Sequence, residues 1–173
     1  CPEKVTLIQI DAHADLRDEL DGEPYSHACA IARSLDEGAL AVHQVGIRAY
    51  CRQELDLINS DERIHTWFAK DVMSPCTGAK AWSEWLESLT HIEGPVHLTI
   101  DIDGLDGALV PATGTPVPGG LSFWHVVQTI ETVFANCEVV SADVNEIVSQ
   151  DDTPLTEFTA AMIATKVAAA HIA

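Results

Sequence analysis

The chain of 173 residues is 47% hydrophobic, which suffices for one domain with a buried core and is too short for two ordinary domains. Its 9 basic and 27 acidic side chains give a formal charge of -18, which argues against nucleic acid or an anionic membrane as a partner and favours a small cation. No apolar run approaches the ~18 residues of a membrane span, and no signal segment precedes the first predicted strand, so we expect a cytoplasmic protein.

Short β-branched runs alternate with amphipathic stretches, which is typical of an α/β fold with a mostly parallel sheet between helices. Strands are predicted at residues 5–10, 41–47, 64–68, 96–100 and 138–144. A helix capped by Ser26 is predicted to run to about residue 36, with Gly38 beyond its end, and a short one covers about 51–58.

Three further helices are predicted in the second half of the chain. An apolar stripe at helical spacing indicates that the first packs on the sheet through Trp82, Trp85, Leu86 and Leu89. Ser122 is predicted to cap the second, to about residue 136, and Thr153 with Pro154 to open the third. Between strand and helix, residues 104–120 form a Gly- and Pro-rich loop of a length that is usually functional.

The five cysteines are scattered, odd in number and without a C-x-x-C pair. They are Cys1, Cys29, Cys51, Cys76 and Cys137. This pattern argues against a disulfide framework and against a zinc knuckle, so we expect buried, reduced thiols.

Polar residues follow three of the predicted strands directly. They are Asp11, His13 and Asp15 after the first, Asp101 and Asp103 after the fourth, and Glu146 after the fifth. Ligands of open parallel sheets bind beyond the carboxyl ends of the strands, so these clusters are expected to meet in one cleft. Alternate residues of an extended segment point the same way, which would direct five side chains at one point.

Four carboxylates at one point require a strong positive charge, because like charges at close range raise one another's pKa. Oxygen-rich ligation with one imidazole suits manganese better than zinc, and four carboxylates are too many for a single ion that must also bind substrate. Two bridged ions fit, and such a pair lowers the pKa of a shared water. The remaining histidines have no acidic neighbours at ligand spacing and are interpreted as structural or surface residues. They are His43, His65, His91, His97, His125 and His171.

Four parts of the chain stand out as specific motifs. They are Asp11-Ala12-His13-Ala14-Asp15, the run from Thr99 to Asp106, the loop from Pro111 to Pro116 with Gly119-Gly120-Leu121, and Glu146. Together they resemble the motifs of the ureohydrolases, the arginase and agmatinase family. The resemblance implies a three-layer α/β/α fold, two Mn²⁺ ions, and hydrolysis of a guanidinium to urea and an amine.

The resemblance also assigns roles by position. Asp11 and Asp101 resemble the carboxylates that bridge both ions, His13 and Asp103 the ligands of one ion, and Asp15 a ligand of the other. Substrate-binding roles fall on Glu146, which would pair with the guanidinium, with help from Thr115. His27 resembles the family's proton-shuttling histidine, for which the alternative is a surface histidine near a helix cap.

Residues 15–19 and 25–27 look like those of agmatinases, and the small polar residues with which arginases bind the amino-acid end of arginine are not evident. Agmatine, cleaved to putrescine and urea in polyamine biosynthesis, is therefore the expected substrate. Guanidinobutyrate and arginine stay open as alternatives, as does a non-catalytic relative acting as a structural or oligomer partner. A single-zinc deacetylase is disfavoured because no adjacent His-His pair is present. Homo-oligomers are common among relatives and are expected here.

Two features depart from the family pattern. Gly107 stands where the family usually has proline. The family's other metal-binding histidine lies in a Gly-Gly-Asp-His stretch upstream of the first motif, and only four residues precede Val5. We therefore expect residues 1–173 to be a single, N-terminally incomplete ureohydrolase domain, with N-terminal strands missing, an open apolar edge, one weakened ion site and little activity.

Overall fold

A computed structural model of the chain describes residues 4–151 and 153–172. Five parallel strands form one sheet in the order β3-β2-β1-β4-β5. Their bounds are Thr6–Ile10 (β1), Val42–Ile47 (β2), Ile64–Phe68 (β3), Pro95–Asp101 (β4) and Glu138–Asn145 (β5). All five strands were predicted from the sequence to within a residue or so, because each contains a short run rich in β-branched and aromatic residues between turn signals.

Helices cover both faces of this sheet, which confirms the predicted three-layer α/β/α fold. Their bounds are Ala30–Asp36 (α1), Arg52–Ser60 (α2), Ala69–Val72 (α3), Gly78–Leu89 (α4), Phe123–Asn136 (α5) and Leu155–Ile172 (α6), with short 3-10 turns at His27–Cys29 and Ile102–Gly104. On one face α4, α5 and α6 pack on residues such as Ile8, Val45 and Leu98. On the other, α1 packs on Leu7 and Val42.

The aromatic stripe of α4 lies against the core, as predicted. Trp85 and Leu89 are fully buried, whereas Trp82 and Leu86 are partly buried against the same cluster. The indole N–H of Trp85 donates to the hydroxyl of Thr129 on α5 at 3.0 Å, so the one polar atom of this side chain is also paired.

Two predicted helix starts are wrong. The Ser26 side chain makes no cap hydrogen bond, and α1 begins only at Ala30, after a 3-10 turn. The carbonyl of Asp15 accepts instead from the N–H groups of Ile31 and Ala32, at 3.1 and 3.2 Å. A backbone oxygen from another segment thus does what the serine hydroxyl was predicted to do.

Pro154 does not occupy the first position of the last helix. The helix begins at Leu155, and the Pro154 carbonyl accepts from the N–H of Phe158, as the residue before a helix does. The predicted Ser122 cap is confirmed, since its hydroxyl accepts from the N–H of His125.

The prediction of buried cysteines is correct only in part. Cys29 is buried, Cys51 and Cys137 are half-buried, and Cys76 is exposed because it lies in the turn before α4. All four are free of disulfides, and Cys1 lies outside the described residues. Within the part of the chain that the structure covers, no helix combines the length and the apolar character needed to span a bilayer.

Candidate metal centre and active site

The carboxyl ends of β1 and β4 bring three predicted ligands into direct contact. These strands pair through Ile10 and Ile100, so the residues that follow them lie side by side. The ligand atoms of Asp11, His13 and Asp103 all lie within 4.8 Å of one another. Nδ1 of His13 is 3.1 Å from Oδ2 of Asp103 and 3.5 Å from Oδ1 of Asp11.

The other two predicted ligands line the same cavity. It has a volume of about 260 Å³. Its walls are His13, Asp15, Arg17, Leu20, His27, Ala28, Ala49, Tyr50, Glu54, Asp101, Thr115 and Glu146. The structure therefore brings together all the residues to which the sequence assigned chemistry, with Asp11 and Asp103 buried just beneath the lining.

Backbone N–H groups orient the carboxylates. Oδ1 of Asp11 accepts from the N–H of His13 at 2.6 Å, and Oδ1 of Asp101 accepts from the N–H of Asp103 at 2.8 Å. Oδ1 of Asp103 accepts from the N–H of Ala12 at 3.1 Å. Each of these contacts uses one oxygen and leaves other lone pairs of the carboxylate for a ligand.

The charges of this cluster do not balance among the protein groups. Burial, together with the neighbouring carboxylate of Asp11, raises the pKa of Asp15 to about 8 and that of Asp101 to about 9. Burial likewise raises the pKa of Asp11 to about 6, while hydrogen bonds to Asp103 and Asp11 raise that of His13 to about 10. Burial works to raise the pKa of Asp103 as well, but the hydrogen bond and charge of His13 outweigh it and lower that pKa.

Four carboxyl groups and one imidazole therefore share a largely buried site that would hold excess protons unless cations were bound. Oxygen donors with a single nitrogen are the ligand set of hard divalent ions such as Mn²⁺. The residues present thus fit a metal centre on the chemistry of the donors alone.

The predicted substrate residues lie at the wall of the cavity. Glu146 follows β5, and its backbone carbonyl accepts from the hydroxyl of Thr113 at 3.0 Å. Thr115 belongs to the long loop, and its hydroxyl donates to Oδ2 of Asp103 at 3.3 Å. His27 begins the 3-10 turn before α1 and is exposed toward solvent.

The six other histidines do not line this cavity. His97 lies four residues before Asp101 on β4, about 13 Å along the strand at the usual rise. Its ring is 2.7 Å from the Ser141 hydroxyl and 3.0 Å from Oδ2 of Asp143. His97 is therefore a sheet residue and does not replace the upstream ligand.

Sequence reasoning missed Glu54, a buried carboxylate of α2 that also lines the cavity. It accepts from the N–H of Leu16 at 3.1 Å and from that of Cys51 at 2.7 Å, and so ties the segment after Asp15 to the start of α2. No sequence signal marked it, because a glutamate in the first turn of a helix is ordinary.

Arg48 was also missed. Its guanidinium donates to the carbonyls of Gly46, Asp103, Gly104, Leu105 and Val117 at 2.6 to 3.3 Å. These carbonyls belong to the end of β2, to the turn after β4 and to the long loop, so one side chain joins three segments beneath the cavity.

Comparison with known proteins agrees with this arrangement. Residues 1–170 match the arginase family. An N(1)-aminopropylagmatine ureohydrolase from Synechocystis is 34% identical over 165 residues, covering 95% of this chain and 51% of the relative. An agmatinase from Pyrococcus horikoshii is 33% identical, covering 84% of this chain and 48% of the relative.

Among solved structures, the agmatine ureohydrolase of Thermoplasma volcanium superposes with a TM-score of 0.82 at 29% identity, covering 99% of this chain and 56% of that chain. The chain thus spans about half the length of the curated relatives it matches. Its fold, its ligand motifs and these matches over nearly all of its length place the chain in the arginase family.

Proposed function

We propose that this chain contributes the metal centre of a ureohydrolase that uses two Mn²⁺ ions to hydrolyse a guanidino compound to urea and an amine. The observation that supports this most directly is that three buried carboxyl groups, the half-buried Asp15 and one imidazole lie together at or just beneath one cavity, beside Glu146, Thr115 and His27.

The carboxylates would divide between the two ions. Asp11 and Asp101 end neighbouring strands and would bridge both ions, His13 and Asp103 would hold one ion, and Asp15 the other. When bound, such a pair supplies the positive charge that lowers the pKa of a shared water. By this division the described residues would give four ligands to one ion and three to the ion held by Asp15.

Glu146 and Thr115 would bind and orient the substrate. A carboxylate and a planar guanidinium form a bidentate ion pair, and this fixes the orientation of the guanidinium plane. Because Glu146 is exposed at the cavity wall while the ligands lie deeper, the guanidinium would be held between Glu146 and the metal centre.

His27 would move protons between solvent and the leaving amine. Its ring is exposed at the cavity wall on the segment before α1, and it does not belong to the buried ligand cluster. A positioned general acid of this kind typically contributes ~10²–10⁴-fold to the rate.

Agmatine is the substrate we propose, since agmatine is a dication and the chain is strongly acidic. N(1)-aminopropylagmatine is the runner-up substrate, because the N(1)-aminopropylagmatine ureohydrolase from Synechocystis is 34% identical to this chain, about as similar as the agmatinase at 33%. The two differ at the end of the molecule away from the guanidinium, and guanidinobutyrate and arginine differ there too by carrying a carboxylate.

The test is urea release from these four compounds with Mn²⁺, using the protein in its full natural length, with the second product identified. Urea from agmatine, lost when Mn²⁺ is chelated, is the expected result. Bound Mn²⁺ without urea from any guanidino compound would favour the non-catalytic relative, and no bound metal would contradict the metal centre itself.

A further inference from the structure

A row of polar side chains crosses the sheet at the level of Gln9 and Thr99, two residues before Asp11 and Asp101. In register across the strands, Gln44 of β2 lies between Thr66 of β3 and Gln9 of β1, and Thr99 and Asp143 continue the row on β4 and β5. Gln9 is 2% exposed and Gln44 fully buried, so their amide groups must find partners within the protein.

The partners fix the direction of both amides. The carbonyl of Ala14 can only accept, so the amino group of Gln44 has to face it, at 2.8 Å. The second N–H of Gln44 then donates to Oε1 of Gln9 at 2.6 Å, while the hydroxyl of Thr66 donates to Oε1 of Gln44 at 2.9 Å. With its oxygen occupied, Gln9 has to turn its amino group the other way, and that group donates to Oδ2 of Asp11 at 2.8 Å.

This leaves Asp11 held at both oxygens. Gln9 donates to Oδ2, and the N–H of His13 donates to Oδ1, so the plane of the carboxylate is fixed while each oxygen keeps a lone pair. The amide adds no charge, and the negative charge of Asp11 therefore stays available to a cation.

The same two glutamines also hold the backbone that carries the next ligands. Nε2 of Gln9 is 3.5 Å from the carbonyl of His13, and Gln44 donates to the carbonyl of Ala14. These two contacts attach the segment from Asp11 to Asp15 to β1 and β2.

We infer that Gln9 is a positioning residue that orients Asp11 for metal binding, and that Gln44 sets the direction of Gln9. The inference rests on the proposed metal centre and extends it to two residues that touch no ion. Outer partners of this kind typically change metal affinity by ~10–100-fold when they are removed.

The test compares three variants of the chain by Mn²⁺ titration, following the EPR signal of free Mn²⁺, and by the melting temperature without metal. Gln9→Met removes the donor to Asp11 at nearly constant volume. Gln44→Met leaves Gln9 in place and removes only the group that sets its direction. Thr129→Val is the matched control, because it deletes a buried hydrogen bond, that with Trp85, on the other face of the sheet.

We expect the Kd for Mn²⁺ to rise ~10–100-fold in Gln9→Met and to rise in Gln44→Met, with no change in Thr129→Val, although all three melt at lower temperature. Kd values within twofold of the parent in both glutamine variants would overturn the inference and leave the metal centre standing. If Gln9→Met does not fold, Gln44→Met alone decides. A parent chain that binds no Mn²⁺ would overturn the metal centre and this inference together.

Discussion

Two of the predicted site residues adopt a backbone conformation that side chains ordinarily avoid. Asp15 has φ 53° and Glu146 has φ 57°, both in the left-handed region, which costs a non-glycine residue ~1 kcal/mol or more. Neighbouring groups compensate, since Ile31 and Ala32 donate to the Asp15 carbonyl and Thr113 to that of Glu146. At these two positions the left-handed backbone belongs to a residue that lines the cavity.

Asp101 offers the sharpest single-residue test of the metal centre. Asp101→Asn keeps the shape of the side chain but removes the charge that two ions would share, so we expect loss of at least one Mn²⁺ per chain and loss of urea release. Metal analysis after gel filtration measures the Mn²⁺ bound per chain, and a urea assay measures turnover. Asp143→Asn is the control, because Asp143 lies on the adjacent strand outside the cavity. Two retained ions with normal turnover would contradict the assignment.

His27 should affect turnover and not metal binding. His27→Ala removes the proposed proton carrier without touching the buried ligands, so we expect urea release by the full-length protein to fall ~10²–10⁴-fold at unchanged metal content. His91→Ala, an exposed histidine at the end of α4, should change neither. Loss of metal in His27→Ala would show that His27 is a ligand.

Metal binding should tighten as pH rises. Without metal, the raised pKa values of His13 (about 10), Asp15 (about 8) and Asp101 (about 9) mean that these groups hold protons at pH 7. Protons compete with the ion, so raising the pH from 6 to 8 weakens this competition by lowering the proton concentration, and the Kd for Mn²⁺ should fall by up to ~10-fold per pH unit for each proton displaced.

Calorimetric titration in two buffers of different ionisation enthalpy counts the protons released per ion. A Kd that is the same at pH 6 and pH 8, with no proton release, would show that the metal-free ligands are already ionised.

Among single residues, the sequence was informative wherever a motif was present. The predicted ligands, Glu146, Thr115 and His27 all lie at one cavity or, for Asp11 and Asp103, just beneath its lining, as the positions of the acidic clusters after strands and the family resemblance led us to expect. Gln9 carried a signal that was overlooked, namely an amide within a strand buried on both faces. Arg48 carried none, because its five carbonyl partners belong to segments that only the fold brings together.

At the scale of elements, glycines allow the segments around Asp11 to approach closely. A Cβ on Gly104 would lie 2.8 Å from the nitrogen of Asp11, and one on Gly46, where φ is 95°, would lie 2.9 Å from its carbonyl oxygen. The turn after β4 and the end of β2 can therefore pack directly on the backbone of Asp11. Arg48 then joins these same two turns to the long loop.

Arg48→Lys should be strongly destabilising. A lysine ammonium has three donors on one point, whereas the guanidinium serves five carbonyls, so at least two would lose their partner. We expect the free energy of unfolding in urea to fall by ~2–4 kcal/mol. Arg63→Lys is the control, since Arg63 is half-exposed and pairs with Asp61 at the surface, where the loss should be much smaller than for Arg48→Lys. Equal losses in the two variants would show that Arg48 does not hold the loops together.

The prediction of elements succeeded where the apolar pattern is local and failed where tertiary contacts decide. The strand bounds, the α4 stripe and the Ser122 cap depend on neighbouring residues in the chain. The Ser26 cap was wrong because α1 begins later, where the carbonyl of Asp15 accepts from the N–H groups of Ile31 and Ala32 in its first turn. No local pattern indicates such a contact, so the start of α1 could not be predicted.

At the scale of the whole molecule, the β5 edge of the sheet and the neighbouring α6 expose apolar side chains. In the described part of the chain β5 pairs with β4 alone, and a groove of about 760 Å³ separates it from α6. The apolar side chains Val140, Ile147, Phe158 and Met162 are 42 to 67% exposed on β5, the segment after it and α6. This agrees with the predicted open apolar edge, and exposed patches of this kind favour association.

We therefore expect the 173-residue chain to self-associate through β5 and α6 at micromolar concentration. Charges on this surface should prevent it, because burying an unpaired ammonium costs more than the apolar contact contributes. The double variant Val140→Lys and Phe158→Lys should sediment as a monomer at concentrations where the parent shows larger species, with unchanged Mn²⁺ affinity, since neither residue lines the metal cavity. Tyr25→Lys serves as the control because Tyr25 is 79% exposed but lies in the segment before α1, away from β5 and α6. A parent chain that is monomeric at every concentration tested would contradict the expectation, and association unchanged by the two lysines would place the contact on another surface.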